Sequence, residues 1–330
     1  MKKSWRWVRN ILLTVAGLVV VLALVGYSYQ VIQTHLDARR FPMKGTLIDV
    51  GGHKLNINCT GEGAPTVVLE TGLQNLAMSW EKVQLGIEKF TRVCVYDRAG
   101  YGWSEAGPLP RTSLQIAKEL HQLLRNAGEK RPYVLVGVSS GGLHVRVFNS
   151  LYPNEVAGMV LVDASIEDQW NEMPPDIQQW WAKASRQYQD DLKIQALLDL
   201  FGIARLKSRE QSQSGRLLLQ SKFAFAVRSE SAKYDEDSKE LKGSGTLGDK
   251  PLIVLTAGKD TADPEHLPER ITKRDLEDFD HIWRNVLQVK LARLSTNGKQ
   301  VIVKDSSHDI PGQNPDAVVT AVQEVCTTVR

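Results

Sequence analysis

Tyr133 to Pro153, YVLVGVSSGGLHVRVFNSLYP, restricts the folding of this chain more than any other stretch. It opens on a valine-rich apolar run, Tyr133 to Val138, which reads as a buried strand, and passes without a loop into helical spacing from about Gly141. A backbone that goes straight from strand to helix must turn sharply, leaving the residue at the apex in a sparsely populated φ/ψ region. Gly137 and Gly141, two before and two after Ser139, bring no Cβ into that turn. The Ser139 side chain is thereby thrown clear of the sheet, above a helix N-terminus whose backbone N–H groups favour negative charge. Gly137-Val138-Ser139-Ser140-Gly141 therefore presents Ser139 as a candidate nucleophile, in the strand–turn–helix setting that G-x-S-x-G requires.

Around this stretch the chain alternates strands and helices. Gly45 to Val50 and Lys54 to Cys59 flank a Gly51-Gly52 hairpin turn, and Thr66 to Glu70 is an apolar strand ending at Thr71-Gly72-Leu73. Arg92 to Tyr96 is a strand followed by the tight loop Asp97 to Ser104, read as support beneath the Ser139 turn. Thr112 to Gly128 has helical spacing, and Val156 to Asp163 is another buried strand. Pro251 to Thr256 and Val301 to Val303 are the last strands, separated by a helix from about Asp275 to Ser295 and followed by one from Asp316 to Val329. Strands separated by helices imply a mostly parallel α/β sheet covered on both faces, with reactive groups at the carboxyl ends of the strands.

Between about Ala164 and Asp249 strand alternation disappears. Ile177 to Tyr188, Leu192 to Phe201 and Ser214 to Glu230 look helical, and Trp170, Trp180, Trp181, Phe201, Phe223 and Phe225 gather there. This segment is expected to be a helical cap inserted between two core strands, its aromatics either lining a pocket or packing the cap's own small core.

The N-terminus reads differently again. Lys2, Lys3, Arg6 and Arg9 precede Ile11 to Tyr29, an uncharged run of about 19 residues, close to the ~20 that cross a bilayer as a helix. An uncleaved anchor is expected, with the N-terminus cytoplasmic and the remainder extracytoplasmic, because the run is longer than a signal-peptide core and no clean A-x-A site follows. A secreted product after signal cleavage is the alternative. The expected organisation is an anchor over 1–30, a linker over 31–44, core over 45–164, cap over 165–249 and core again over 250–330.

Across 330 residues, 41 basic residues stand against 38 acidic, which gives nothing for nucleic acid to recognise. Cys59, Cys94 and Cys326 form no CxxC or Cys/His grouping, so no metal site and no cofactor are expected. Cys59 and Cys94 are expected to be buried and free, with a bridge between them as the alternative.

With Tyr96-Asp-Arg-Ala-Gly-Tyr-Gly-Trp-Ser104, the Ser139 turn, Val160-Leu-Val-Asp-Ala-Ser165 and the His308 loop together, the chain from about Gly45 onward resembles the α/β-hydrolase superfamily, in particular its bacterial membrane-anchored branch. The resemblance implies a serine hydrolase acting on a carboxylic ester or related acyl bond of a small molecule through an acyl-enzyme. A serine hydroxyl needs a neighbouring base, and His308, in Ser306-Ser-His-Asp-Ile-Pro311 after the final strand, matches the family's S-x-H-x-x-P. His144, on the elbow helix, is expected to be packing or surface. Two residues qualify as the acid: Asp163, ending the strand after the elbow helix, and Asp260, after the Pro251 to Thr256 strand but one residue short of the usual G-x-x-D spacing. Oxyanion donors would be the N–H groups of Leu73 and Ser140. Val138 stands where many relatives have His. The rivals are a proline-iminopeptidase-like peptidase, with Glu167, Asp168 and Glu172 as amine site, and a non-enzymatic binding protein on the same scaffold.

Overall fold

The computed structural model describes residues 2–209, 212–241, 246–260 and 270–330. Helix α1 (Lys2–Arg40) is followed by the hairpin β1 (Thr46–Asp49) and β2 (Lys54–Thr60), then β3 (Thr66–Glu70), α2 (Glu81–Ile87), β4 (Val93–Tyr96), α3 (Ser113–Asn126), β5 (Tyr133–Val138), α4 (Gly141–Leu151) and β6 (Val156–Val162). The chain then leaves the sheet for α5 (Pro175–Leu200), α6 (Ile203–Lys207), α7 (Gln213–Leu218) and α8 (Ser221–Leu241). It returns with β7 (Leu252–Ala257), α9 (Lys273–Ile282), α10 (Gln288–Ala292), β8 (Gly298–Val303), α11 (Ile310–Gln313) and α12 (Pro315–Thr328).

One 8-stranded sheet has the order β1-β2-β4-β3-β5-β6-β7-β8. The β1–β2 and β2–β4 pairs are antiparallel and every later pair is parallel. Side chains of a strand alternate between faces. Val134, Val136 and Val138 of β5 accordingly pack with Val83, Val322 and Val325 of α2 and α12, while Tyr133 and Leu135 pack with Leu120, Phe148 and Leu291 on the opposite face. A strand covered on both sides can be apolar throughout, which is why β5 reads as an unbroken hydrophobic run. The fold is the α/β-hydrolase fold, with a mostly parallel sheet, helices on both faces and a helical cap.

Three expectations are corrected. Cys59 and Cys94 are disulfide-bonded, because β2 and β4 pair with these residues directly opposite each other; Cys326 is the free, buried thiol. The stretch read as a linker is helical as far as Arg40, since no helix breaker interrupts it and its Asp37 pairs with Arg205 of the cap. Ile177 to Tyr188 and Leu192 to Leu200 belong to a single 26-residue helix, α5, which ends just before Phe201.

Candidate active site

The turn after β5 supplies the first group. Ser139 has φ +53°, a left-handed conformation that costs a non-glycine residue energy and persists only where its surroundings hold it. They do so through backbone bonds: Ser139 N–H donates to Val162 O (3.2 Å), and Ser139 O accepts from Gly142 N–H (3.0 Å) and Ser165 N–H (3.0 Å). The glycines follow from space. A Cβ on Gly137 would lie 2.7 Å from Gly141 O, one on Gly141 2.6 Å from Thr71 O, and one on Gly142 2.5 Å from the Ala164 Cβ.

The loop after β3 comes up against the same serine, where a Cβ on Gly72 would meet the Ser139 Cβ at 3.1 Å. Leu73 and Ser140, the two residues expected to donate N–H groups, both line the cavity above Ser139. Among the described residues no acceptor is found for either N–H.

Arg98 fastens this loop. Its Nη1 donates to Glu70 Oε1 (2.6 Å) and Thr71 O (2.8 Å), and its Nη2 donates to Gly72 O (3.1 Å). The guanidinium also reaches Glu230 of α8 through Nε (3.1 Å) and Nη2 (2.9 Å), and Glu230 accepts from the Tyr101 hydroxyl (2.7 Å). Glu70, Arg98 and Glu230 are all buried. Burial pushes the Glu70 carboxyl up, against the opposing pull of Arg98. The DRAGYGWS loop is therefore structural, as expected, and it ties the cap to the loop that carries Leu73.

Asp163 ends β6, the strand beside β5, and it too is left-handed (φ +43°) and buried. Its Oδ1 accepts from Ala257 N–H (3.0 Å) and the Trp283 indole N–H (2.9 Å), and its Oδ2 faces His308 Nδ1 at 2.7 Å. The indole is delivered by Trp283–Leu287, a π-helical turn between α9 and α10. A carboxylate oxygen accepts, so this contact favours the tautomer with the proton on Nδ1 and Nε2 left as an acceptor. The hydrogen bond to Asp163 holds the His308 pKa above the ordinary histidine value, although burial pulls the other way.

Asp260 is not brought to this site. The N–H groups of Gly258 and Lys259 bond Ser306 O (3.1 and 3.0 Å), which turns the loop outward. The Asp260 side chain is 79% exposed and pairs with Arg284 at 3.1 Å. His144 is buried on α4 with Nδ1 at 2.7 Å from Ser113 Oγ, and burial holds its pKa well down, so it is a packing residue. His266 lies outside the described residues.

Ser139, Asp163 and His308 share one cavity of about 990 Å³, roofed by Trp170 and Trp181 of the cap and walled by Phe279 and Trp283. Trp170 and Trp181 stack at 3.7 Å between ring centroids. Other cap aromatics do different work: Phe223 packs edge-on to Tyr101 in the cap's own core, and Phe201 meets α1. In the acidic cluster, Glu167 is paired with the buried Arg146 (2.6 Å), and Glu172 forms a half-exposed pair with Lys290 (2.6 Å).

Trp283 and Glu230 were not legible in the sequence as parts of this arrangement. Trp283 falls within the helix expected from about Asp275 to Ser295, and its partner Asp163 lies 120 residues away.

A family model described as alpha/beta hydrolase fold matches residues 65–315. The protein YbdG of Bacillus subtilis (strain 168) is 28% identical over 172 residues, 52% of this chain and 53% of the relative, so the match spans about half of that relative's length. A thermophilic esterase from Thermogutta terrifontis superposes with a TM-score of 0.60 at 19% identity, over 87% of this chain and 99% of that one. A putative epoxide hydrolase from Pseudomonas aeruginosa superposes with a TM-score of 0.63 at 16% identity, over 88% and 97%. At these identities the superpositions speak to the fold alone.

Proposed function

Because the chain belongs to the alpha/beta hydrolase fold family, we propose that it is a serine hydrolase cleaving a carboxylic ester or related acyl bond of a small molecule. The observation that carries this reading is the 2.7 Å contact between His308 Nδ1 and Asp163 Oδ2 at the cavity floor that also holds Ser139. The apex residue is serine, not the aspartate that dehalogenases and epoxide hydrolases of this fold use as nucleophile.

In this mechanism Ser139 Oγ attacks the acyl carbon as its proton passes to His308 Nε2. The carbonyl π electrons move to oxygen, and the N–H groups of Leu73 and Ser140 stabilise the resulting oxyanion. Such donors typically contribute about 3–4 kcal/mol each in mutagenesis. The tetrahedral intermediate collapses, the C–O bond to the alcohol breaks, and the alcohol leaves with the proton from Nε2. Water, deprotonated by the same Nε2, then attacks the acyl-enzyme and releases the carboxylic acid and free Ser139. Asp163 orients the imidazole and stabilises its cationic form throughout. The aromatic roof favours a substrate with a sizeable apolar or aryl part.

We also read α1 as a membrane anchor. It is the single helix among the described residues long and apolar enough to cross a bilayer. The Cys59–Cys94 disulfide supports an oxidising, extracytoplasmic setting for the folded domain, with the basic N-terminus cytoplasmic.

The test is labelling of the full chain with a fluorophosphonate, which phosphonylates an activated serine. Wild type is expected to label, and Ser139→Ala and His308→Ala to lose it. A folded wild type that never labels overturns the enzyme reading in favour of a binding protein.

A further inference from the structure

We propose that the corner of the cap where α5 gives way to α6, carrying Leu197, Ile203 and Leu206, is a second membrane-contacting face seated in the bilayer interface beside α1. The inference rests on the reading of α1 as the anchor. Ile11 to Tyr29 is the uncharged part of that helix, and at ~1.5 Å per residue it spans roughly 28 Å, close to the ~30 Å of bilayer hydrocarbon. Its last turn, Gly26 to Tyr29, is therefore held at the boundary between acyl chains and headgroups.

That turn is where the cap docks. A Cβ on Gly26 would lie 2.5 Å from Phe201 O, and one on Gly202 would lie 2.8 Å from Tyr29 Cδ1. Just beyond it, Gln30 Nε2 donates to Leu219 O (2.8 Å), Arg205 Nε donates to Gln30 Oε1 (3.0 Å), and Arg205 Nη1 pairs with Asp37. Gln30, Asp37 and Arg205 are 5%, 6% and 2% exposed. A buried charge pair is tolerated only in one good geometry, so this latch fixes the cap against the helix. The depth of Gly26 is set by α1, and the α5–α6 corner touches Gly26, so the corner is held at the level of the interface.

The side chains there suit that level. Leu197, Ile203 and Leu206 are 50%, 37% and 67% exposed. One exposed leucine is unremarkable on a soluble surface. Three around a corner held at this depth, with Lys207 and Arg209 alongside, match what interfacial segments present: apolar groups for the acyl boundary and cations for lipid phosphates.

The test uses the full chain in vesicles of phosphatidylcholine and phosphatidylglycerol containing brominated phosphatidylcholine. Single introduced cysteines carry a fluorophore, since Cys59 and Cys94 are bonded and Cys326 is buried. Leu206→Cys samples the corner, Val20→Cys the membrane span and Leu109→Cys, at an exposed site on the core, the water. The expected result is that bromolipid removes most of the emission at positions 206 and 20 and leaves 109 unchanged. Quenching at 20 without quenching at 206 overturns this inference and leaves the anchor standing. Unquenched dyes at both positions overturn the anchor reading and the corner with it. Self-quenching at 206 without bromolipid quenching assigns the face to a second copy of the chain and refutes the lipid contact.

Discussion

Replacing Asp163 by asparagine isolates what the buried carboxylate does. Two donors converge on Oδ1, the Ala257 N–H at 3.0 Å and the Trp283 indole N–H at 2.9 Å. In Asp163→Asn the amide oxygen must occupy that place, and the amide N–H group is turned onto His308 Nδ1. Two N–H groups cannot face each other, so the imidazole presents a bare Nδ1 and its proton moves to Nε2, the nitrogen that in the proposed mechanism accepts from Ser139. The base is lost although the packing is kept. A wrong-tautomer change of this kind lowers kcat by about 10⁴ in the serine-protease precedent, equivalent to ~5.4 kcal/mol of barrier. The cost to stability is about 1–2 kcal/mol, because one charge-assisted hydrogen bond is exchanged for a neutral one. Steady-state hydrolysis of a p-nitrophenyl ester, with a thermal melt on the same samples, measures both. Asp260→Asn alongside is expected to alter neither appreciably, since exposed ion pairs contribute about 0–1 kcal/mol. The pH profile adds a sign. His308 must be neutral to act, and Asp163 raises its pKa, so wild-type activity is lost as pH falls through a value above the ordinary histidine one. The asparagine variant shifts that limb to lower pH. The same raised pKa means that the imidazolium–carboxylate attraction adds stability in full below the unfolded pKa, and loses it as pH rises through the folded one. An Asp163→Asn enzyme within tenfold of wild type, with Asp260→Asn inactive, would refute the assignment.

Three further outcomes follow from the packing. Arg98→Met leaves Glu70 and Glu230 buried without their cation, each held only by a tyrosine hydroxyl (Tyr96 and Tyr101), and is expected to cost about 3–5 kcal/mol in a urea melt, whereas Glu230→Gln keeps the fold and chiefly loosens the cap, read as faster proteolysis between α5 and α8. Gly142→Ala forces a Cβ to within 2.5 Å of the Ala164 Cβ and is expected to displace the Ser139 turn, losing about 1–3 kcal/mol by thermal melt together with fluorophosphonate labelling. The Cys59→Ser, Cys94→Ser double variant opens a cross-link between residues 35 apart and is expected to lose about 2–4 kcal/mol in denaturant titration.

What was legible in the sequence was local. The passage from β5 to α4 declares itself because an apolar run meets Gly137 and Gly141 with no loop between them, and the turn constrains its own apex. The parallel sheet follows from alternation, and its both-sided burial from the apolar strands. The choice between Asp163 and Asp260 was not legible, because it depends on how far the loop after β7 travels, and that loop is pinned by Ser306, a partner nearly fifty positions on. The Cys59–Cys94 bridge stayed the second choice for a related reason: the β2–β4 register that sets these residues opposite each other is long-range. The cap aromatics could not be sorted from composition, since Trp181 and Phe223 differ only in which side of the cap they meet.

With α1 in a bilayer, its unbroken course to Arg40 changes how the catalyst explores its surroundings. A flexible tether of 14 residues would let the domain wander over roughly 20 Å in any orientation. A rigid mast, gripped by the cap through Arg205 and Asp37, keeps the mouth of the cavity at one height and one tilt. On the proposed reading, encounter then becomes a search in two dimensions, decided by which substrate groups are presented at that height above the plane. Lengthening or kinking the mast would retune reach without touching a single residue of the reaction centre.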